Sequence, residues 1–392
     1  MSSKPRVLLL HGVADLYGSG KILLNSVEAL RDTYDFVVAL PMEGPLVQRF
    51  EALGAEVIVM PLGVLRRKYF NIPGLISRVS TWFTTVRVLK KLVKEKQIKL
   101  IYTNTLSVLV GGFLARQTGL QLLWHIHEII ERPRPLRSFL GKIVNSTAHR
   151  AIVVSQAVYD CWSPLIAKEK LLLIHNGHEL MPKTQGAGLR KSLGIPEDHV
   201  ILASIGRIHP VKGLDYFIDI ANTICHKYDY VHFIIIGDAF PGHEYLYKEM
   251  AEQINKDRLE EKVQYLGFRD DVPEVLDEID IFVLPSTGPD SFPTVVLEAM
   301  SKALPVVATR MGGALEMVED GQTGVLIPIN EADRAAELMA DMIEKTDLRQ
   351  QMGEAGRERL ARLFSRSKYD EQIRQVLHEL CPVDEQEGHL NQ

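Results

Sequence analysis

Two carboxylates, Asp290 and Glu298, stand eight positions apart in PSTGPDSFPTVVLEAMSKALPVVATRMGGALEMVEDGQTGVL, residues 285–326. They flank a loop of small residues that runs from an apolar strand, Ile281–Leu284, into a helix. A helix start offers unpaired backbone N–H groups and the positive end of a dipole, which suits a phosphate. An ionised carboxylate only accepts hydrogen bonds, which suits sugar or ribose hydroxyls. Phosphate and hydroxyl recognition in one loop–helix unit is the chemistry that a nucleotide sugar needs.

Other loops that follow strands carry further candidates. In SIGRIHPVKGLDYF, Gly206 allows a tight turn, and Arg207 and Lys212 could converge on a diphosphate, one as a planar fork and one as a point charge. The alternative is two solvated cations. In LGFRDD, Gly267, Phe268 and Arg269 stand where a base could slot against backbone; a plain packing turn would use the same residues. Near the N-terminus, HGVADLYGSGKILL places Gly18 and Gly20 before a helix expected to begin near Lys21. This is not a P-loop, which would need Gly at the position of Asp15 and Ser or Thr at that of Ile22. It reads as either a binding turn or a packing turn. LLWHIHEII puts His125, His127 and Glu128 at a strand end. Residues i and i+2 share a strand face, yet no third metal ligand is near in sequence, so the expectation is a substrate hydroxyl on His127, the one closest to the loop.

The elements that must position these residues alternate along the chain. Candidate strands are Val7–Leu10, Phe36–Leu40, Glu56–Met60, Leu100–Thr103, Leu122–His125, Ala151–Val154 and Leu171–Ile174. A second set comprises Val200–Ile205, Phe233–Ile236, Val263–Tyr265, Ile281–Leu284, Val306–Ala308 and Val325–Ile327. Short apolar strands separated by helices mean parallel sheets covered on both faces. The class is therefore α/β: two doubly wound Rossmann-like domains facing across a cleft. With 392 residues the chain exceeds what one core usually supports. The expected domains are 1–180 and 195–366, joined by the polar, Gly- and Pro-containing MPKTQGAGLRKSLGIPEDH. A last helix, 367–380, is followed by a tail, 381–392, whose composition reads as disordered.

Composition and charge exclude several classes. Apolar content of 46% and charged content of 24% are those of a globular protein. The N-terminal apolar run is too short for a signal peptide, and no run approaches the roughly 18 residues of a spanning helix. Three scattered cysteines fit a reducing cytoplasm. Residues 1–180 carry 23 Lys and Arg against 13 Asp and Glu, whereas the remainder carries 22 against 37. The basic excess concentrates in 66–99, where Arg66, Arg67, Lys68, Arg78, Arg87, Lys90, Lys91, Lys94, Lys96 and Lys99 face one acid, Glu95. Leu75, Ile76, Val79, Trp82, Phe83 and Val86 recur there at helical spacing. Such a segment could lie on anionic lipid at the inner membrane face, or be a solvated helix covering the sheet. Nucleic acid is disfavoured, because no stacking-aromatic module accompanies the charge.

Taken in order, GRIHPVKG, LGFRDDVPEVLDEIDIFVLPS, the D-x7-E segment and LEAMSKALPVVATRMGGALEMVEDGQTGVLIP resemble the GT-B glycosyltransferases of family 4. YGSGK, WHIHE, VVSQAV and IHNG extend the likeness over nearly the whole length. The resemblance implies that Arg207 and Lys212 hold the donor diphosphate and that Glu298 binds the ribose. Asp290 would face the transferred sugar, with backbone around Phe292, Thr294 and Val295 cradling phosphate. Read from their loops alone, Gly206, Phe268 and Arg269 are further candidates for the donor site. Gly18 and Gly20 would close on the diphosphate from the first domain, and His127 would contact the sugar. The resemblance also implies retention of anomeric configuration, a nucleotide diphosphate sugar as donor substrate rather than a bound cofactor, and no metal. The final helix would cross back to the first domain. One departure is that the family's first acid is usually Glu, whereas Asp290 is shorter by one methylene. The acceptor expected is a glycan, preferably lipid-linked, and the sugar a hexose. The rival readings are an epimerase or phosphorylase-type enzyme on the same fold, or a non-catalytic nucleotide-sugar-binding protein. A dehydrogenase is poorly supported, since no GxGxxG with a ribose-binding acid follows a strand.

Overall fold

The computed structural model describes residues 4–66, 69, 71–239 and 242–383. Arg67 and Lys68 of the basic segment, the side chain of Leu75 and residues 384–392 of the tail lie outside the described residues. The chain divides into two compact units, one formed by 1–176 with 367–392 and the other by 177–366.

The first unit is built on seven parallel strands: β1 Arg6–His11, β2 Asp35–Leu40, β3 Glu56–Val59, β4 Ile98–Asn104, β5 Gln121–Ile126, β6 Arg150–Val153 and β7 Leu171–Leu173. Their order is β3-β2-β1-β4-β5-β6-β7. The central strands β1, β4 and β5 are buried almost throughout, because helices cover both faces and each side chain must pack. The chain order reverses between β1 and β4, where His11 stands in register with Asn104. Helix Arg366–Leu380 packs Tyr369, Ile373, Val376, Leu377 and Leu380 into this unit's core. Polar links tie it down: Ser26 Oγ and Tyr369 OH lie 2.6 Å apart, and Tyr34 OH donates to the carbonyl of Cys381 at 2.9 Å.

The second unit holds six parallel strands: β8 Val200–Ile205, β9 Val231–Ile236, β10 Val263–Tyr265, β11 Ile281–Leu284, β12 Val306–Thr309 and β13 Gly324–Ile327. Their order is β10-β9-β8-β11-β12-β13, so the reversal falls between β8 and β11. Ligands in open α/β sheets bind beyond the carboxyl ends of the strands at such a reversal.

The boundary differs from the one expected at residue 180. Residues 177–180 belong to the second unit, where His178 N donates to the carbonyl of Phe364 and Arg366 N to that of His178. The polar segment read as a linker is packed as well. Thr184 donates through N and Oγ1 to Asp277 Oδ2 at 2.8 and 2.6 Å, and Arg190, in the short helix Leu189–Leu193, pairs with Asp280 at 2.7 Å. Lys302, fully buried, binds both Asp277 Oδ2 and the carbonyl of Pro182. Gly- and Pro-rich composition marked turns here, and buried charges supply the packing that composition does not show.

Candidate active site

In the second unit, three strand-end loops meet at the reversal point. After β8 the backbone passes Gly206, φ 156°, with open space where a Cβ would stand. The 3-10 turn Pro210–Lys212 then ends on Gly213, φ 66°. A Cβ on Gly213 would lie 2.1 Å from the carbonyl oxygen of Pro285, so only glycine lets this turn close on the loop after β11. The N–H groups of Thr287 and Gly288 both donate to the carbonyl of Val211, at 3.0 and 3.1 Å. This clasp brings Lys212 Nζ onto Asp290 Oδ2 as an ion pair. The loop after β12 fixes Asp290 from the other side: Gly313 N donates to its carbonyl at 2.9 Å.

Asp290 leads into helix Thr294–Ser301, which no side chain caps. Its first N–H groups therefore keep the character of an anion site. Thr294 and Val295 are partly exposed, and Glu298, one turn along, is buried. Phe292 is buried edge-on against Phe364, centroids 5.5 Å apart, so its side chain packs and only its backbone remains for a ligand. The Lys212 and Asp290 side chains retain 29% and 19% exposure, open enough for the pair to exchange for a ligand's charges.

One candidate sits differently from its simplest reading. Arg269 is engaged by Asp271 in a two-pronged pair, Nε to Oδ1 at 2.7 Å and Nη2 to Oδ2. That hydrogen bonding raises the pKa of the guanidinium and lowers that of the carboxyl. The turn thus presents the Phe268 ring, 62% exposed, rather than an uncommitted cation. Arg207 stands partly exposed in the loop after β8.

In the first unit the first helix begins at Gly18, three residues earlier than expected, so Gly18 and Gly20 lie in its first turn and not in a preceding loop. Gly20 is buried, and a Cβ there would stand 2.6 Å from the carbonyl of Asp15 and 3.0 Å from Leu46. Packing therefore accounts for Gly20, while Gly18 is partly exposed at the helix start.

Beyond the ends of β1, β4 and β5 lies a polar cluster. Asn104 lies 3.0 Å from His11 Nδ1 and 2.9 Å from His127 Nε2. His125 Nδ1 lies 2.8 Å from Tyr102 OH, and its ring stands 4.2 Å from that of His127. Burial lowers the pKa of His11 to about 4 and of His125 to about 3. Burial, with the neighbouring His125 and His11, holds His127 well below its ordinary value. Glu128 accepts from Leu106 N at 2.9 Å and His127 N at 3.0 Å, yet burial outweighs these bonds and raises its carboxyl to about 7. Thr105, a β-branched residue at φ 84°, occupies this same loop, a strain that the surrounding bonds hold in place.

His11, Asn104 and Thr105 were not singled out in the sequence. The available signal was polar residues ending otherwise apolar strands at the sheet's reversal, which requires the strand order to recognise.

Two family models cover most of the chain: "Glycosyl transferase 4-like domain" matches residues 17–177 and "Glycosyl transferases group 1" matches residues 187–359. The chain belongs to the GT4-type glycosyltransferases. This glycosyltransferase is similar to the Anabaena protein HepE in its complex with UDP-glucose, with a TM-score of 0.83 and 26% identity over 95% of this chain and 99% of that one. WaaG, a glycosyltransferase involved in lipopolysaccharide biosynthesis, shares the fold at 14% identity and a TM-score of 0.74. Both units thus have the α/β architecture of GT-B glycosyltransferases. Among curated relatives, the Escherichia coli UDP-Gal:alpha-D-GlcNAc-diphosphoundecaprenol alpha-1,3-galactosyltransferase is 26% identical over 336 residues, 81% of this chain and 82% of that one. The Bacillus anthracis N-acetyl-alpha-D-glucosaminyl L-malate synthase is 28% identical over 196 residues, and that match spans half the length of each protein.

Proposed function

We propose that this glycosyltransferase moves a hexose-type sugar, with retention and without a bound metal, from a nucleotide diphosphate sugar to a lipid-linked glycan acceptor. The observation that carries this reading is the Lys212–Asp290 pair at the uncapped start of helix Thr294–Ser301, with buried Glu298 one turn on. Cation, helix dipole and two carboxylates then serve one ligand. Arg207, Lys212 and the first helix N–H groups take the diphosphate, Glu298 the ribose and Asp290 the sugar. Gly206 gives the backbone room beside the phosphates, and Phe268 with the 267–269 turn meets the base. Gly18 at the start of the first helix and His127 are the first unit's contributions to diphosphate and sugar.

The reaction breaks the bond between the sugar's anomeric carbon and the β-phosphate oxygen. The acceptor oxygen bonds to that carbon on the same face, and its proton passes to the departing phosphate oxygen. Negative charge grows on the leaving group, and groups already oriented toward it stabilise that charge without reorganising. UDP-glucose is the first donor to test, since the similar HepE binds it. Thermal stabilisation across a nucleotide-sugar panel, followed by proton NMR of the transferred anomeric centre, tests the reading. An inverted product, or sugar epimerised without any acceptor, contradicts it.

The acceptor preference rests on helix Ile72–Glu95. It exposes Ile76, Val79 and Phe83, spaced along one side, and Arg87, Lys91 and Lys94 are exposed beyond them. Apolar wedge and cationic flank together suit an anionic lipid surface. No helix among the described residues is long and apolar enough to cross a membrane. Co-sedimentation with phosphatidylglycerol vesicles is expected to fall about a hundredfold or more in Ile76→Ser/Phe83→Ser, because two side chains each contribute roughly 1.5–3 kcal/mol when fully inserted. Equal binding by both proteins contradicts this surface.

A further inference from the structure

Asn104 ends β4 opposite His11 at the reversal of the first sheet, and its buried amide faces three groups. One terminal atom lies 3.0 Å from His11 Nδ1 and 3.3 Å from the carbonyl oxygen of Ser19. The other lies 2.9 Å from His127 Nε2. A backbone carbonyl can only accept, so the amide atom beside Ser19 must be the nitrogen; oxygen there would set two acceptors face to face. One of its hydrogens goes to Ser19 O, and the nitrogen also lies beside His11 Nδ1, which is itself 3.4 Å from the backbone carbonyl of Asn104. The remaining amide atom is the oxygen and can only accept, so His127 Nε2 must carry a proton. Burial keeps the His127 ring neutral, and a neutral imidazole holds a single N–H. Its Nδ1 is therefore a lone-pair acceptor.

We infer that Asn104 is a positioning residue: it fixes His127 as the Nε2–H tautomer, so that the ring meets the donor sugar as a hydrogen-bond acceptor at Nδ1. The inference rests on the reading of His127 as a sugar contact. The chain of bonds also reaches the first helix through Ser19, so His127 and the start of that helix share one anchor. The sugar hydroxyl at this point must donate. A donor with that hydroxyl replaced by fluorine, which accepts but cannot donate, then loses the contact.

Nitrogen-15 NMR of the full chain labelled in histidine tests the tautomer directly, with His127 assigned by the resonances that vanish in His127→Gln. The wild-type spectrum is expected to show a protonated Nε2 and an unprotonated Nδ1 from pH 5 to 8. The opposite tautomer, a mixture of both or an imidazolium overturns the inference, and this readout needs no variant of Asn104. Kinetics test the consequence. Asn104→Ala and His127→Ala are each expected to lower transfer about tenfold, the worth of one hydrogen bond, and the double variant no further than the more severe single. Losses that multiply overturn the coupling. Should His127→Ala transfer at the wild-type rate while the spectrum shows Nε2–H, the sugar contact fails and takes the positioning role with it, although the tautomer stands.

Discussion

Lys212 holds Asp290 at the point where the donor's phosphates and sugar are proposed to sit. A partly exposed pair of this kind is worth little to stability, so its arrangement points to a ligand rather than to folding. Lys212→Ala is expected to lower turnover at least tenfold with little change in melting temperature, as measured by steady-state transfer and thermal unfolding. Unchanged kinetics would remove Lys212 from the mechanism. The buried histidines of the first unit make a separate claim about pH. His11 has a folded-state pKa of about 4, below its ordinary 6.5. Below pH 6.5 the unfolded chain takes up a proton that the folded chain refuses until about pH 4, so stability is lost as pH falls through that window. The loss from His11 alone is about 3 kcal/mol, at 1.36 kcal/mol per tenfold change in acidity. Glu128, raised to about 7, works in the opposite sense: between 4.5 and 7 the folded chain keeps a proton that the unfolded chain has released. Comparing denaturant unfolding of wild type and His11→Gln from pH 4 to 7 isolates the histidine. The variant is expected to show the shallower loss on acidification, and identical slopes contradict the assignment. At this scale the sequence displays the residue types of the strand-end loops plainly, because loops after apolar strands announce themselves. It did not display the Asn104 network, whose members come from three strands and meet only through the sheet order.

The strand-end loops act as units, and their contact depends on backbone that only glycine can supply. Gly213 combines φ 66° with a Cβ position 2.1 Å from the carbonyl of Pro285. Gly213→Ala is expected to cost about 2 kcal/mol or more and to weaken donor binding, because the turn carrying Lys212 must pull away from the Asp290 loop. Calorimetric binding together with chemical unfolding checks both halves; a variant with wild-type stability and affinity contradicts the clasp. Element positions were legible because short apolar runs bounded by Gly and Pro leave few alternatives. All thirteen strands of the described residues overlap those expected, from β1 Arg6–His11 to β13 Gly324–Ile327. The first helix was placed three residues late, since glycines at a helix start look like loop. The segment 181–199 reads as linker in the sequence because its anchors, Asp277, Asp280 and Lys302, lie about 90–120 positions further along the chain.

The molecule is two separately cored units whose chain order does not follow their boundaries, since helix Arg366–Leu380 returns to the first. Five side chains of that helix are buried in the first unit, which at roughly 1.5–3 kcal/mol each is comparable to the whole margin by which domains are usually stable. Truncation after Ser365 is therefore expected to unfold the first unit while the second keeps its structure, as hydrogen exchange resolved by peptide would show. Protection retained throughout β1–β7 contradicts that dependence. The two-unit plan could be read from length and alternation alone, but the side on which each boundary residue falls is set by hydrogen bonds such as those joining His178 to Phe364 and Arg366. On the proposed function, the second unit grips a nucleotide sugar through its diphosphate. Crystals soaked with UDP-glucose and a matching panel of other nucleotide sugars test it most directly. Diphosphate density is expected over Gly206–Lys212 and the start of helix Thr294–Ser301, with the ribose hydroxyls on Glu298. Density bound elsewhere on the chain, with those loops bare, contradicts it.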